Sequence, residues 1–514
     1  MNLYTLFREA DLSLPETAED REICGICTDS RRAAAHTVFI CIKGTKTDGH
    51  DYAREAAEKG AAVVVAEHFC DVGNAILVVT EDTRRAAARL YDAWYGHPAR
   101  GMKLIAVTGT NGKTSVTHML RAIFEAAMWR CGIIGTVYSC SAGRRLDIHS
   151  ENPLANMTTP DPEELYRILS VMAADGVEYV FMEATSHALA LKKLDALFFE
   201  AAIFTNLTPD HLDFHKNMEN YFSAKAQLFS MCRQAIINVD DSYGKRLAKS
   251  VPCPCVTCSI KEEKADFFAD QIADSSEGTE YRLAAHNLRA AVKTPIPGCF
   301  TVMNTLEAAA CATVLGISPS VTVTALRSLN GIEGRMERVR LGAVCDFSVF
   351  IDYAHTPDAL YNLLMTARSF RKSGQRIVLL FGCGGDRDKG KRPVMGKIAS
   401  ELADVCIVTS DNSRSEDPRN IIREICEGMG DAPRTVIPER AVAIDYAIAS
   451  AAKGDIILLA GKGHEEYEID KDGKHPFYEK QLVRAAVLRY HTETVKCGKK
   501  EGREHESNDW GGGA

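Results

Sequence analysis

Residues 103–115 constrain the fold of this chain more than any other stretch. An apolar run leads into a turn containing Gly109 and Gly112, after which apolar side chains recur with the spacing of one helix face. The glycines let backbone N–H groups face an anion, Lys113 adds positive charge, and the Thr114 hydroxyl can ligate Mg²⁺. The sequence therefore predicts a strand, a loop that holds the β- and γ-phosphates of ATP, and a helix.

The match to the phosphate-loop pattern G-x-x-x-x-G-K-[ST] is incomplete, because Val107 stands where the first glycine belongs. An ordinary glycine turn is the alternative, and the flanking strand and helix patterns favour the phosphate loop. The residues predicted to form it are Thr108, Gly109, Thr110, Asn111, Gly112, Lys113, Thr114 and Ser115.

With 514 residues the chain is long enough for about three domains of roughly 150 residues each. A net charge of -8 gives no electrostatic reason to expect nucleic acid as a partner. The 17 cysteines are scattered, many within apolar runs, which indicates free thiols in a reducing compartment. No apolar run approaches the ~18 residues of a membrane span. We therefore expect a cytoplasmic protein, a monomer, with small-molecule partners.

Strand and helix patterns alternate along the chain and predict an α/β protein of three domains. Residues 1–99 form a small α/β domain, 100–334 a nucleotide domain around the phosphate loop, and 335–490 a doubly wound domain. Residues 491–514 are rich in charge and poor in apolar side chains, so we predict a disordered tail.

Two polar clusters of the first domain lie beside predicted strands. They are Thr28–Arg31 and Lys43–His50. Taken alone they are typical of surface turns, and we favour that interpretation over a ligand site.

Two predicted strands of the nucleotide domain end in polar loops that carry Glu183 and His211. Ligands gather at the carboxyl ends of parallel strands, so both side chains could bind a cation beside the γ-phosphate. A zinc site with His215 is one alternative, but no cysteine pair accompanies it, and Mg²⁺ beside ATP suits oxygen ligands better. Solvated loop residues are the other.

Three further segments of this domain carry structural predictions only. Cys253–Cys258 lacks the spacing of a structural zinc site and is predicted to be a connecting segment with free thiols. Ser275–Gly278 is typical of a hairpin turn, and Pro295–Gly298 of a break before a helix that begins near Asn304.

Four strands of the third domain each end in a charged or glycine-rich loop. Four such loops after four successive strands are hard to assign to chance, so we predict that they converge on one edge of the sheet and form a polar pocket. The loops are Asp352–His355, Gly382–Asp388, Ser410–Arg414 and Gly461–Glu465.

Together these motifs resemble those of the Mur ligases, over residues 1 to about 490. Asp411–Arg414 and Gly461–Glu465 narrow the resemblance to the members that add the third residue of the peptidoglycan stem peptide. The other matching segments are Thr108–Thr114, Glu183 with Ser186–His187, Thr205–Leu207, Asp210–Asp213, Asn304, Gly334–Arg335, Asp352–His355 and Gly382–Arg387.

The resemblance implies an ATP-dependent ligase with a uridine-binding first domain, a central P-loop ATPase domain and a C-terminal Rossmann-like domain. ATP would phosphorylate the side-chain carboxylate of D-glutamate in UDP-MurNAc-L-Ala-D-Glu, because a free carboxylate is too poor an electrophile for an amine. The amino acid would then attack the acyl phosphate.

For the nucleotide and metal sites, the resemblance implies that Lys113 and Thr114 hold the γ-phosphate and Mg²⁺, and that Glu183 and His211 bind metal. Lys225 matches the lysine that the family carbamylates into an anionic ligand for a second Mg²⁺; without the resemblance it would be taken for a surface helix residue. The residues implied to contact the nucleotide from across the domain cleft are Asn304, Arg335, Asp352 and His355.

For UDP-MurNAc-L-Ala-D-Glu, the resemblance points to one residue of the uridine loop and to four that meet the muramyl dipeptide. Leu191 stands where some members carry a polar contact, which leaves one contact in doubt. The five matching residues are Ser30, Thr158, Thr159, Thr185 and Lys193.

For the added amino acid, the resemblance points to meso-diaminopimelate, because Arg414 could grip its far carboxylate with two parallel hydrogen bonds. Ser413 replaces the proline that the family carries there, which could loosen the loop. Glu465 and the Gly461 backbone would receive the far ammonium group, and Arg387 the carboxylate nearer the reacting amine. The remaining residues assigned to this site are Asp411 and Asn412.

Three other functions stay open at this point. They are the same ligase adding L-lysine, a folylpolyglutamate-type synthetase, and a non-enzymatic relative. Residues 1–99 argue against the synthetase, whose members lack a uridine domain, and the intact Lys113, Glu183 and Lys225 argue against an inactive relative.

Overall fold

A computed structural model describes residues 1–44, 47–146, 157–286, 288–341 and 345–490. The chain divides into two compact units, one of residues 1–268 with 305–322, the other of residues 269–304 with those from Val323 onward. The predicted tail at 491–514 lies outside the described residues, as do positions 45 and 46 of the second polar cluster. Within the described ranges, no helix is both long and apolar enough to cross a bilayer.

The first unit begins with a small sheet of four parallel strands, adjacent in chain order. Its elements are α1 (Leu3–Glu9), β1 (Gly25–Cys27), β2 (Thr37–Ile40), α2 (Ala53–Glu58), β3 (Val63–Ala66), β4 (Ile76–Val79) and α3 (Thr83–Trp94). The apolar run of β3 is buried on both faces, as expected for a parallel strand between helices. Asp82 caps α3 by accepting hydrogen bonds from the N–H groups of Arg84 and Arg85.

The larger sheet of the first unit carries the phosphate loop. Its elements are β5 (Lys103–Thr108), α4 (Lys113–Ala126), β6 (Cys131–Ile134), β7 (Ser139–Ser141), β8 (Arg144–Leu146), α5 (Pro162–Ala174), β9 (Tyr179–Glu183), α6 (Ser186–Ala190), β10 (Ala201–Phe204), α7 (Leu212–His215), α8 (Met218–Ala226), β11 (Ala235–Asn238), α9 (Ser242–Ala248) and β12 (Cys255–Ser259). The strand order is β12-β11-β10-β5-β9-β6-β7-β8, parallel from β12 to β6.

The position of β5 within this order places the loops. The chain runs from β5 to β6 and β9 on one side and to β10 on the other, so β5 lies at the point where the winding reverses. Val107 pairs with Glu183 and Thr108 with Phe204, which brings the carboxyl ends of β5, β9 and β10 together. Such switch points are where open α/β sheets bind ligands.

The second unit holds the other doubly wound sheet, made of β16 (Glu337–Arg338), β17 (Ser348–Asp352), β18 (Ile377–Phe381), β19 (Val405–Val408), β20 (Thr435–Val436) and β21 (Ile456–Ala460). Their order is β16-β17-β21-β18-β19-β20. The strands from β17 to β20 are parallel, and β16 is antiparallel at the edge. The remaining elements of the chain are β13 (Phe267–Ser275), β14 (Gly278–Ala285), β15 (Leu288–Thr294), α10 (Cys299–Val314), α11 (Pro319–Arg327), α12 (Pro357–Phe370), α13 (Lys391–Leu402), α14 (Pro418–Met429), α15 (Arg440–Ala449), β22 (Tyr467–Asp470), β23 (Gly473–Pro476) and a helix over 479–490.

Two of the structural predictions were wrong in detail. The helix expected near Asn304 begins at Cys299, directly after Gly298, whose left-handed φ of 113° ends the preceding segment. Cys255–Ser259 is a strand rather than a connecting segment, because it pairs in parallel with β11. The hairpin turn predicted at Ser275–Gly278 joins β13 to β14.

Helix α10 buries a carboxyl group in the first unit. Glu307 is 0% exposed, and neither of its carboxylate oxygens has a hydrogen-bond partner within the described part of the chain. Burial raises the pKa of Glu307 well above its ordinary value. Between the ordinary carboxyl pKa and this raised one, the folded chain binds a proton that the unfolded chain has lost, so stability falls as pH rises.

Replacing Glu307 with Gln should therefore make the decrease in the free energy of unfolding with rising pH smaller. Replacing Glu307 with Leu should raise the free energy of unfolding at pH 8 by roughly 1–3 kcal/mol, the usual cost of an unsatisfied buried polar group. Denaturant unfolding at several pH values between 5 and 9 would measure both effects. Glu263→Gln, at an exposed position, is the matched control. Equal pH slopes for wild type and Glu307→Gln would contradict this prediction.

Candidate active site

The phosphate loop runs from the end of β5 to the start of α4. Gly109 has a φ of 149°, and a Cβ there would lie 1.9 Å from the Thr205 hydroxyl, so only glycine fits. The loop is held by its neighbour after β10, since Thr205 Oγ1 donates to Asn111 O at 2.6 Å and Asn111 N to Asn206 Oδ1 at 2.9 Å. No side chain caps α4, which leaves its first N–H groups directed at the loop.

Lys113 folds back over this loop. Its Nζ donates to Gly109 O at 3.0 Å and to Thr110 O at 2.9 Å. The ammonium group is therefore held within the turn, where phosphate oxygens would meet it.

Glu183 lies at the centre of a cluster of hydroxyl groups beside the loop. It is 1% exposed, and its Oε1 accepts from Thr114 Oγ1 at 3.0 Å and from Thr136 N at 2.8 Å. Its Oε2 accepts from Thr136 Oγ1 at 2.9 Å, and that hydroxyl lies 3.0 Å from Thr158 Oγ1. The cluster joins two predicted metal ligands to a residue predicted to contact the dipeptide.

Lys225 is buried, which corrects its assignment to a surface helix from the local sequence alone. It is 2% exposed, its Nζ donates to Gly109 O at 2.8 Å, and the same atom lies 4.8 Å from the centre of the Tyr221 ring. Burial and the nearby Lys113 charge hold the pKa of Lys225 well below its ordinary value. Two lysines thus share the Gly109 carbonyl, at one end of the phosphate loop.

Histidines line the other side of the same site. The ring of His187 makes edge contacts with those of His211 and His215, at centroid distances of 4.8 and 5.5 Å. Burial lowers the pKa values of His211 and His215 to about 4, so both rings are neutral at pH 7 and can act as ligands or acceptors. His215 Nε2 is hydrogen-bonded to the Ser186 hydroxyl at 2.9 Å.

The zinc alternative gains no support from this arrangement. Across the described ranges, no group of three or more His, Cys, Asp or Glu side chains is arranged to hold a metal ion. The hydroxyl of Thr114 against the carboxylate of Glu183 is a set of hard oxygen donors, which fits Mg²⁺ bound together with phosphate oxygens.

The residues predicted for the nucleotide sugar lie on two linked elements of the first unit. Ser30 opens a short helix capped by Asp29, and Arg32 at its end donates to both carboxylate oxygens of Glu163 on α5 at 2.6 and 2.8 Å. The loop that precedes α5 carries Thr158 and Thr159. The Ser30 turn is therefore tied to the helix that follows the threonine pair.

The threonine pair is itself bonded to the loop after β9. Thr159 Oγ1 donates to Glu183 O at 2.7 Å and accepts from Thr185 N at 3.1 Å. Lys193 is 7% exposed and pairs with Asp161 at 2.8 Å. Three of the five predicted residues, Thr158, Thr159 and Thr185, thus belong to one hydrogen-bonded region around Glu183.

The nucleotide contacts predicted in the second unit cluster at the end of β17. Asp352 accepts from Met336 N at 2.6 Å and from Ala354 N at 2.8 Å, and the Arg335 guanidinium lies 4.9 Å from the Tyr353 ring centre. Gly334 has a φ of 66°, and a Cβ there would lie 2.3 Å from His464 N. This close backbone approach packs the segment at 334 against the Gly461–Glu465 loop.

Asn412 joins three of the four loops that were predicted to converge. Its Nδ2 donates to Glu465 Oε2 at 2.7 Å, and its Oδ1 accepts from Lys462 Nζ at 2.9 Å and from Ile469 N at 3.0 Å. Its carbonyl accepts from Gly385 N at 2.9 Å. Convergence of these loops on one edge of the sheet is confirmed.

Arg414 extends from the same loop with a left-handed φ of 52°. Its Nη1 donates to Gly385 O at 2.8 Å and to Asn412 O at 3.3 Å, and among the described residues its guanidinium makes no other hydrogen bond. The Nε–Nη2 edge of the fork is therefore available to a carboxylate. Burial and the nearby Asp411 raise the pKa of Glu465 on the facing loop.

Some predicted residues stand apart from these bonded groups. Arg387 is exposed on the loop after β18, and Asn304 is buried inside α10. Sequence reasoning missed Thr136, Tyr221 and Lys462. Thr136 follows the end of β6 and Lys462 lies inside a predicted loop, so the rule that ligands gather at strand ends could have found both.

A phosphate loop with a hydroxyl, a carboxylate and a lysine around it is typical of enzymes that transfer the γ-phosphoryl group of a nucleoside triphosphate. The chain matches three sequence families: Mur ligase family, catalytic domain, at residues 22–93; Mur ligase middle domain, at 107–312; and Mur ligase, glutamate ligase domain, at 334–463. This chain belongs to the Mur ligase family, and it is an ATP-dependent ligase.

Individual relatives agree with the family match. The chain is 41% identical to the UDP-N-acetylmuramoyl-L-alanyl-D-glutamate--2,6-diaminopimelate ligase of Syntrophomonas wolfei, over 95% of this chain and 99% of that protein. A solved structure of an enzyme with the same name superposes with a TM-score of 0.68 at 30% identity, over 96% of this chain and 100% of the other. Mycobacterium tuberculosis folylpolyglutamate synthase, at 17% identity and a TM-score of 0.60, covers 78% of this chain and 94% of its own, and shares the fold alone.

Proposed function

We propose that this chain joins meso-diaminopimelate to UDP-MurNAc-L-Ala-D-Glu, with ATP converted to ADP and phosphate. The observation that carries the proposal is Arg414, whose guanidinium has one edge available on a loop braced by Asn412 and Gly385. Diaminopimelate differs from lysine by a far carboxylate, and a planar guanidinium binds that group with two parallel hydrogen bonds. The names of the relatives point to the same amino acid.

The residues of the first unit suit the first chemical step. Lys113 and the N-terminus of α4 neutralise charge on the γ-phosphate as the D-glutamate carboxylate attacks it in line. The amino acid then attacks the resulting acyl phosphate at its carbonyl carbon, and phosphate leaves from the tetrahedral intermediate. In this proposal Asn304, Arg335, Asp352 and His355 contact the nucleotide.

Magnesium fits the oxygen donors of the site. Thr114, Glu183 and His211 would be metal ligands, and Lys225 would, once carbamylated, be an anionic ligand for a second ion. Bound Mg²⁺ supplies positive charge that offsets the negative charge of the transferring phosphoryl group.

The nucleotide sugar would extend from the Ser30 turn to the threonine pair. Ser30 would contact uridine, while Thr158, Thr159, Thr185 and Lys193 would meet the muramyl dipeptide. The bonded region around Glu183 supports this assignment, because it places the threonines beside the phosphate loop that activates the dipeptide carboxylate.

The amino acid would lie among the loops of the second unit. Arg414 would bind its far carboxylate, Glu465 and the Gly461 backbone its far ammonium group, and Arg387 the carboxylate next to the reacting amine. Asp411 and Asn412 would complete the site. Support comes from the hydrogen bonds that hold Asn412 against Glu465 and Lys462.

We also propose domain limits of 1–99, 100–334 and 335–490, in agreement with the order of the three family matches. Sixteen cysteines of the described ranges are free thiols, which supports a cytoplasmic location for the enzyme. It would act as a monomer.

The deciding assay is phosphate release from ATP by purified protein with Mg²⁺ and UDP-MurNAc-L-Ala-D-Glu, measured against a panel of amino acids. Turnover should require meso-diaminopimelate, with L-lysine a poor substitute. A preference for L-lysine at equal concentration would reject the amino-acid assignment but keep the ligase. Turnover with glutamate and a pterin substrate instead would reject both.

Lys225→Ala should be nearly inactive and partly rescued by millimolar short carboxylates, which can replace the anionic oxygens of a carbamate. Phosphate release with and without formate or acetate measures the rescue, and Lys249→Ala at an exposed position is the control. A carbamate signal from carbon-13-labelled bicarbonate, present in wild type and absent from Lys225→Ala, would be independent support. Wild-type turnover in Lys225→Ala would reject the role.

A further inference from the structure

Arg440 is the first residue of α15 and is fully buried, with its side chain 0% exposed. The Glu479 side chain, 2% exposed, faces it: Glu479 Oε1 accepts from Arg440 Nε at 2.8 Å and lies 2.8 Å from Nη2 in an ion pair. A buried arginine needs such a partner, because an unpaired charge in the interior is strongly destabilising. The ion pair also fixes the orientation of the guanidinium plane.

The rest of the guanidinium reaches the main chain of two different loops. Nη2 donates to Ala460 O at 2.9 Å, and Nη1 donates to Ser410 O at 3.4 Å. Ala460 is the last residue of β21 and precedes Gly461, while Ser410 follows β19 and precedes Asp411. Arg440 therefore bonds the two peptide groups from which the proposed amino-acid loops begin.

The positive charge of Arg440 also acts on the carboxylate of Asp411. Burial opposes its ionisation, yet the charges of Lys462 and Arg440 hold the pKa of Asp411 below its ordinary value. A Cβ on Gly461 would lie 2.5 Å from Asp411 Oδ2, so the two loops touch at Asp411 and Gly461. Arg440 bonds the carbonyl of the residue directly before each of them, in addition to the bonds that Asn412 makes between the loops.

We propose that Arg440, oriented by Glu479, is a positioning residue for the amino-acid substrate. By holding the carbonyls of Ser410 and Ala460, it fixes the spacing between the loop that carries Arg414 and the loop that carries Glu465. Arg440 donates to these two carbonyls and to Glu479 from three different nitrogen atoms of one rigid plane, whereas a lysine ammonium would donate from a single nitrogen atom and could not span the same distance. The inference rests on the proposed binding of the amino acid by these loops.

Three variants test this role in the full-length enzyme. Arg440→Lys keeps the positive charge but loses the planar guanidinium. Glu479→Gln keeps a hydrogen-bond acceptor but removes the charge that orients Arg440. The double variant Arg440→Met with Glu479→Leu removes both buried charges together. Arg419→Ala, at an exposed position of α14, is the control. The KM values for meso-diaminopimelate, ATP and UDP-MurNAc-L-Ala-D-Glu are measured for each, since a KM does not depend on the fraction of enzyme that is folded.

The expected result is a rise of about tenfold or more in the KM for meso-diaminopimelate in Arg440→Lys and in the double variant, with the KM for ATP within about twofold of wild type. Glu479→Gln should show a smaller rise in the same KM. An unchanged KM for meso-diaminopimelate, or an equal rise in all three KM values, would overturn the positioning role.

Arg414→Ala, measured in the same series, separates this inference from the proposed function. If Arg414→Ala raises the KM for the amino acid and the Arg440 variants do not, only the positioning role is wrong. If Arg414→Ala leaves that KM unchanged, these loops do not bind the amino acid, and the proposed site and the positioning role are both rejected.

Discussion

Lys113→Ala is expected to lower phosphate release by at least about 1,000-fold while the protein stays folded. The Lys113 ammonium is held within the phosphate loop by the carbonyls of Gly109 and Thr110. Its charge would stabilise the phosphoryl group most strongly during transfer, so the loss should fall on kcat. Because the side chain is only partly buried, its removal should cost little stability.

The measurement is steady-state phosphate release with all three substrates, together with thermal unfolding of the same samples. Lys264→Ala, at an exposed position of the first unit, is the matched control and should keep wild-type turnover. Turnover at the wild-type rate in Lys113→Ala would show that residues 108–115 are an ordinary turn.

Arg414→Ala is expected to cost about 2–4 kcal/mol in the use of meso-diaminopimelate, because the far carboxylate would be left unpaired in the site. This corresponds to a loss of about 30- to 1,000-fold in kcat/KM. The KM for ATP should barely change, because in the described part of the chain the hydrogen bonds of the Arg414 guanidinium go to the main chain of its own loop and of the loop after β18. L-lysine lacks the far carboxylate, so its use should be affected much less.

The ratio of kcat/KM for meso-diaminopimelate to that for L-lysine gives the cleanest measure, since the amount of active enzyme cancels. Arg423→Ala, on the exposed face of α14, should leave this ratio at its wild-type value. An unchanged ratio in Arg414→Ala would mean that Arg414 is an exposed loop arginine without a part in selection.

The architecture could be predicted because its signals are local. The alternation of apolar runs with helical spacing predicts the strands β5, β9, β10, β17, β18, β19 and β21, all of which the structure contains. The strand-end rule predicts that Asp352–His355, Ser410–Arg414 and Gly461–Glu465 meet. The start of α10 was predicted near Asn304 rather than at Cys299, because no Ser, Thr, Asp or Asn stands directly before Cys299 to mark a helix start.

Long-range packing could not be predicted in the same way. The local sequence around Lys225 resembles an exposed helix, and burial of its amine against Gly109 depends on a contact 116 residues away along the chain. The same holds for Arg440, whose partner Glu479 lies 39 residues further on. Neither residue stands in a loop that a strand-end argument would single out.

The contacts of Asn412 limit how this enzyme could be redesigned. Its side chain satisfies Glu465, Lys462 and the Ile469 main chain at the same time. Any graft of residues 411–414 that replaces Asn412 would therefore leave donors and acceptors of the 461–469 segment without partners. A variant designed for a different amino acid would therefore have to exchange residues 411–414 and 461–469 together.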